Sequence, residues 1–186
     1  RTTVTDDAHR PVNKVLTAEV TLVNTGDVPA DVSVSAAAVY MKSGKTEKSL
    51  APVQTTVPAG GKTRVTFSAP WPAAKLWWPE ESPAAMYRLD TFVRQDAVLS
   101  DRHPQPFGFR EVKIDGKYIR INGLRRNFWN LLYGLSGNNP KEALANFRAG
   151  NNRFERFGGS ANLNGMIPTR RAQLDWADQN GVPGRL

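Results

Sequence analysis

At 186 residues the chain is long enough for one full domain and part of a second. It contains no cysteine, which excludes disulfides and thiolate metal sites and leaves the compartment open, a periplasmic or secreted location being compatible with it. The net charge of +8 is lopsided: residues 1–100 carry 11 Lys/Arg against 10 Asp/Glu, and residues 101–186 carry 14 against 7. That excess is scattered, with doublets only at Arg125-Arg126 and Arg170-Arg171, and no RNA-binding motif accompanies it. No apolar run approaches the ~20 residues of a membrane helix. Neither a nucleic-acid partner nor a membrane is expected.

The first hundred residues read as short strands. From Val15 to Asn24, Leu16, Ala18, Val20 and Leu22 alternate with Thr17, Glu19 and Thr21, the period of two of a half-buried strand. Thr25-Gly26-Asp27 makes a turn. Ala30 to Tyr40 repeats the pattern, with Val32, Val34, Ala36, Ala38 and Tyr40 on the core face. Ser43-Gly44-Lys45 and Pro58-Ala59-Gly60-Gly61 are further turns, with a short strand at Gln54–Val57 between them. Thr63, Val65 and Phe67 mark the next strand. Tyr87 to Gln95 follows, with Tyr87, Leu89, Thr91 and Val93 opposite Arg88, Asp90 and Arg94. Short strands at this spacing predict an immunoglobulin-like β-sandwich over residues 1–110. Leu76 to Pro83 is too rich in proline for a central strand and reads as a crossing loop. Its Trp77 and Trp78 have two readings, plugs for the open end of the sandwich or a platform for stacking sugars.

The character changes after Arg110. Glu111–Ile114 and Lys117–Ile121 predict a hairpin around Asp115-Gly116, and Asn122-Gly123 marks another turn, so residues 111–125 form a bridging segment. An apolar stretch runs from Arg126 to Leu132. Asn139-Pro140-Lys141-Glu142 has the chemistry of a helix start: a capping Asn, Pro at the first position and Glu three residues after the cap. Leu144 and Phe147 supply its apolar stripe and Gly150 its stop. Arg153–Phe157 predicts a strand. Pro168-Thr169 opens a second helix, with Leu174 and Ala177 on one face, Gly181 as its stop, and a third strand nascent at Val182 but cut short by Pro183. Strand, helix, strand, helix order predicts a parallel sheet. A closed (β/α)₈ barrel takes about 250 residues, so residues 126–186 are expected to be only the opening of one.

Several of these segments stand in the order found in glycoside hydrolase family 2, which the chain resembles over about residues 14–182. The segments are Leu76-Trp77-Trp78-Pro79, the strand beginning Met86-Tyr87-Arg88-Leu89, and Phe107-Gly108-Phe109-Arg110. They are followed by Asp115-Gly116…Asn122-Gly123 and by Leu174-Asp175-Trp176-Ala177-Asp178-Gln179-Asn180-Gly181. The resemblance implies an exo-β-glycosidase, with a β-linked glycoside as substrate of the full-length protein and no cofactor or metal. Its tryptophan turn leans toward the β-mannosidase and exo-β-glucosaminidase branch. It also implies that the two catalytic glutamates come from the fourth and seventh barrel strands, so that this chain alone is inactive. Two departures stand out. Trp129-Asn130 occupies the place where the family commonly has Arg-Gly, and Glu155 the place of an expected Arg, ahead of a retained Phe157-Gly158-Gly159.

Retaining hydrolysis needs two carboxyl groups about 5–5.5 Å apart, and no such pair can be assembled from the strands present. Trp129 and Asn130 are the substrate-side candidates, against a reading as barrel filling and a loop hydrogen bond. Glu155 either binds a sugar hydroxyl or pairs with Arg153 or Arg156. Asp175 and Asp178 share a helix face at i, i+3 and read as surface or capping charges. His9 and His103 have no partner for metal ligation or a triad. The competing function is a non-catalytic carbohydrate-binding or adhesion module on the same scaffold. The oligomeric state is not legible.

Overall fold

A computed structural model describes residues 2–8, 11–79, 81–127, 135–151, 155–156, 166–167 and 169–185. The chain divides into two compact units, Arg1–Lys75 with Met86–Glu111, and Leu76–Ala85 with Val112–Leu186.

The first unit consists of seven strands: β1 (Thr2–Thr5), β2 (Pro11–Val23), β3 (Ala30–Tyr40), β4 (Lys45–Val57), β5 (Lys62–Pro70), β6 (Met86–Gln95) and β7 (Val98–Gly108). They form two antiparallel sheets, in the orders β1-β2-β5 and β4-β3-β6-β7. The alternation sets the registers. Ala18 lies opposite Phe67 and Val20 opposite Val65 in one sheet, and Val34 opposite Val93 and Ala38 opposite Leu89 in the other. Val34, Ala36, Ala38, Leu89, Val65 and Phe67 are buried, as a sandwich core requires. Fully burying a valine, leucine or phenylalanine side chain contributes about 1.5–3 kcal/mol.

Three features depart from the sequence reading. β4 runs from Lys45 rather than Gln54. It is an edge strand whose polar first half faces solvent, so it has no apolar alternation to betray it, and Pro52 is tolerated there because only one side of the strand carries a ladder. Asp90, on the outer face of β6, is 4% exposed, held between Arg88 and Arg102. The tryptophan inside this unit is Trp71, not Trp77 or Trp78. Its ring lies 4.8 Å from that of Tyr87 and 5.8 Å, edge-on, from that of Phe109.

The second unit opens with the strands β8 (Val112–Asp115), β9 (Tyr118–Ile121) and β10 (Leu124–Arg126), an antiparallel sheet in the order β10-β9-β8. Gly116 takes a φ of +56° at the first turn. At the second, Asn122 and Gly123 both have positive φ (51° and 82°), the mirror-image geometry that two-residue hairpins need and that Asn-Gly supplies at low cost. Alternation puts Val112, Ile114, Ile119, Ile121 and Leu124 on one face.

Helix α1 (Pro140–Ala149) is capped by Asn139, whose side chain accepts from the Glu142 amide at 3.0 Å. In return the Glu142 carboxylate accepts from the amide of Asn138, at 3.0 Å, one residue ahead of the expected partner. The buried positions are Ala143 and Phe147, with Leu144 only at the margin of the cluster, so the stripe is rotated by one residue. Helix α2 (Arg170–Gln179) is capped by the Thr169 hydroxyl, which accepts from the Ala172 amide at 3.1 Å. Leu135, Ala143, Phe147, Ile167, Ala177 and Val182 form one core between them. Strands β11 (Glu155–Arg156) and β12 (Gly184–Arg185) pair in parallel, Glu155 opposite Gly184 and Arg156 opposite Arg185, on either side of α2 in the chain. The third strand therefore forms despite Pro183, because the proline precedes the paired residues.

Candidate functional site

Of the three sequence-predicted site residues, Trp129 and Asn130 lie outside the described residues, as does the apolar stretch from Phe128 onward. Glu155 opens β11, opposite Gly184 of β12. Its side chain, like those of Arg153 and Arg156, lies outside the described residues. His9 is outside it too, and among the described residues no cluster of His, Cys, Asp or Glu could hold a metal ion.

The tryptophan turn is described in full except for Glu80. Trp77 is 2% exposed and its indole Nε1 donates to the carbonyl of Asp178 at 2.6 Å. The Trp77 carbonyl accepts from Asn122 Nδ2 at 3.0 Å. The Ala84 amide donates to the Gln179 carbonyl at 2.8 Å, and Arg148 Nη2 to that of Asn180 at 3.0 Å. The last carbonyls of a helix have no partner within it, and here loop and neighbouring-helix donors satisfy them one by one. Gly181 permits the close approach: its φ is +61°, and a Cβ there would overlap the Glu81 carbonyl oxygen. Trp78 is half-buried, with the Arg126 guanidinium 5.4 Å from its ring centroid. Trp77 thus offers no face to a sugar, and the turn is a helix-end clamp.

The remaining charged constellations are structural. Asp175 accepts from Arg171 at 3.2 Å along the exposed face of α2. Asp90 accepts from Arg88 at 2.8 Å and pairs with Arg102 at 3.2 Å. The Arg88 hydrogen bond in particular holds its carboxyl below the usual carboxylate range. Tyr87 is fully buried. Its hydroxyl accepts from the Lys75 amide at 2.8 Å and donates to Glu47 at 3.2 Å, and burial above all pushes its pKa up to about 12. Lys75 closes the group, 2.8 Å from Glu47 and 3.8 Å above the ring of Tyr40. Sequence reasoning missed Trp71 and the burial of Asp90; the Arg-x-Asp spacing along one strand face was the available signal for the latter.

Residues 2–110, more than half of the chain, match the family model described as glycosyl hydrolases family 2. The chain belongs to glycosyl hydrolases family 2. Among solved structures, a family 2 β-galacturonidase from Eisenbergiella tayi superposes with a TM-score of 0.71 at 18% identity, over 99% of this chain and 31% of that one. The exo-chitosanase of Amycolatopsis orientalis gives 0.67 at 17% identity, over 99% and 21%. A β-glucuronidase of Bacteroides uniformis gives 0.65 at 19% identity, over 92% and 21%. These likenesses concern the fold, and the chain spans less than a third of the length of each neighbour. No curated protein sequence matches it.

Proposed function

We propose that this chain is the sandwich and the first strand–helix units of a family 2 exo-β-glycosidase whose catalytic carboxyl pair lies on polypeptide outside it. The observation that carries the reading is the order of parts: a family 2 sandwich at residues 2–110, then the three-stranded β8–β10 sheet, then two parallel strands joined through a helix. A β-α-β unit after such a sandwich fits the start of a (β/α)₈ barrel, in which chemistry sits at the carboxyl ends of the strands. On this reading residues 1–110, 111–125 and 126–186 are sandwich, bridge and barrel opening. Trp129, Asn130 and Glu155 are then substrate-side residues near the first two strand ends, and the substrate is a β-linked glycoside.

A retaining mechanism needs a nucleophile and an acid/base about 5–5.5 Å apart. Three of the described carboxylates are engaged in ion pairs: Asp90 with two arginines, Glu47 with Lys75, and Asp175 with Arg171. The chain's contribution is to position the sugar. The test is hydrolysis of a panel of p-nitrophenyl β-glycosides by the isolated chain and by the full-length parent, with anomeric configuration followed by proton NMR. The expected result is no turnover by the chain and retention of configuration by the parent, with Trp129→Ala in the parent raising KM at least about tenfold. Turnover by the isolated chain overturns the proposal. A parent that binds soluble polysaccharide tightly and hydrolyses none of the panel replaces it with a carbohydrate-binding module.

A further inference from the structure

On β6, Leu89, Thr91 and Val93 face inward, and Arg88, Asp90, Phe92 and Arg94 face outward. One apolar side chain on a polar face is ordinary; Phe92 is set apart by its neighbours. Its ring is half-buried, and the guanidiniums of Arg94 and Arg102 stand 5.5 and 5.7 Å from the centroid. Neither stacks on it in contact, as Arg125 does on Tyr118 at 3.4 Å. On one side of Phe92 lies Arg102 of β7, and on the other Ser35 of β3. Ser33 lies beside Arg94, with Gln54 of β4 beyond it. The serines are short, so β3 is a low, hydroxyl-lined floor beside the taller Phe92 and Arg94. The charges do not balance on β6 and β7. Asp90 pairs with Arg88 at 2.8 Å and with Arg102 at 3.2 Å. Among the described residues Arg94 forms no ion pair; one of its N–H groups donates to Ser35 Oγ at 3.3 Å. Asp31, further along β3, accepts from Thr56 at 2.5 Å.

We propose that this face of the sandwich is a binding platform for an acidic glycan. Phe92 packs against the C–H face of a uronate ring, Arg94 and Arg102 take its carboxylate, and Ser33, Ser35 and Gln54 take neighbouring hydroxyls. The chemistry selects this occupant. An aromatic ring offers an apolar face that a bare anion does not use. A guanidinium fork matches a carboxylate in two parallel hydrogen bonds. Asp90 holds Arg102 at the margin of the ring and still leaves the face with surplus positive charge, which draws an anionic chain toward it. An acidic peptide is a poorer match. β3 and β6 are interior strands, hydrogen-bonded on both sides in the order β4-β3-β6-β7. Their backbone groups are used in the ladders, so a peptide finds no strand edge to extend here. The platform does not depend on whether the parent hydrolyses glycosides, so the two proposals fail separately.

The test is isothermal titration calorimetry of the chain with oligo-β-mannuronate, oligogalacturonate, a neutral β-manno-oligosaccharide and polyglutamate. Salt is held at about 150 mM, where exposed charges are screened beyond about 8 Å. The expected result is binding of a uronate oligomer and of neither control. Phe92→Leu, which keeps an apolar side chain at this half-buried position, and Arg94→Gln, which leaves the ring in place, are each expected to weaken it at least about tenfold with the urea midpoint little changed. Arg64→Gln removes an exposed cation from the other sheet and is expected to have no effect. No binding of either uronate overturns the proposal. Equal binding of polyglutamate or of the neutral glycan does so too, because charge alone or hydroxyls alone then suffice. Wild-type affinity in both Phe92→Leu and Arg94→Gln, or an equal loss in Arg64→Gln, also overturns it.

Discussion

Among the described residues, each of the two units buries one tryptophan almost completely, and they do so by different physics. Trp71 is 4% exposed and sits among rings, beside Tyr87 and edge-on to Phe109. Trp77 is 2% exposed and serves through its N–H, which meets a helix carbonyl at 2.6 Å. The sandwich builds an interior from alternating apolar strands and fills its end with aromatics. Among its described residues the second unit has two short helices and strands of two to four residues, and it holds its loop by satisfying carbonyls one at a time. Val112, Ile114 and Leu124, on one face of the β8–β10 sheet, are 58%, 81% and 57% exposed, while the middle of β3 buries its inward residues fully.

The largest effect is expected at Trp71. Trp71→Ala removes a large side chain from a packed aromatic cluster and is expected to cost the sandwich about 3–5 kcal/mol, seen as a lower urea midpoint. On the second unit's open sheet face, Ile114→Ser is expected to change stability by no more than about 0.5 kcal/mol, since the side chain is already in water. Similar costs for the two would mean that Ile114 is covered in solution and that the contrast between the units is wrong.

A glycine pair separates backbone strain from crowding. Gly44 in the β3–β4 turn has φ +68° with open space around it, and Gly181 after α2 has φ +61° against the Glu81 backbone. Gly44→Ala meets only the left-handed penalty, about 1 kcal/mol. Gly181→Ala adds overlap with a carbonyl oxygen and is expected to cost at least about 2–3 kcal/mol, or to release the Trp77 clamp. Indole fluorescence reports the release. Equal costs at the two sites would show that the loop gives way freely.

How far the sequence discloses this molecule follows from the same contrast. β3 is readable to the residue, Ala30–Tyr40, because every second side chain enters a core. The first half of β4 is invisible because an edge strand needs no alternation. The cap Asn139 and the helix start at Thr169 are legible because side-chain chemistry at a helix start is local. The stripe of α1 is not, since Ala143 is buried and Leu144 marginal, and which side turns inward depends on Ile167 and Val182, far along the chain. Trp71 carries no local signal at all. Of the candidate site, the sequence names Trp129, Asn130 and Glu155, and the structure adds only the backbone pairing of Glu155.

Charge pairing gives a smaller effect with a pH signature. Asp90 is buried, but Arg88 and Arg102 have side chains 40% and 49% exposed, so solvent screens much of the attraction. Asp90→Asn is expected to cost about 1–2 kcal/mol at neutral pH. The carboxyl is held below its usual range, chiefly by the Arg88 hydrogen bond, so its folded pKa is depressed. That contribution is complete above the unfolded value near 4 and is lost as pH falls through the folded one. The gap between wild type and Asn variant should therefore narrow below about pH 4. A gap independent of acid would place the stabilisation in packing.

At Tyr87 the effect expected at neutral pH is also small, and there the sign reverses with alkali. Tyr87→Phe loses the hydroxyl that accepts from the Lys75 amide and donates to Glu47, costing about 1 kcal/mol near neutrality. In the folded wild type the hydroxyl keeps its proton up to about 12, whereas in the unfolded chain it ionises near 10. The folded pKa is raised, so the stability linked to this proton is fully present below about pH 10 and drains away up to about 12. Phenylalanine has no proton to lose, and all other titrations cancel in the difference between the two proteins. The Phe variant should overtake wild type within that window, by a relative change on the order of 2 kcal/mol, in urea titrations run at stepped pH. If the neutral-pH gap persists unchanged to pH 12, the Tyr87 hydroxyl is open to solvent, and the aromatic plug with Trp71 and Phe109 does not seal that end of the sandwich.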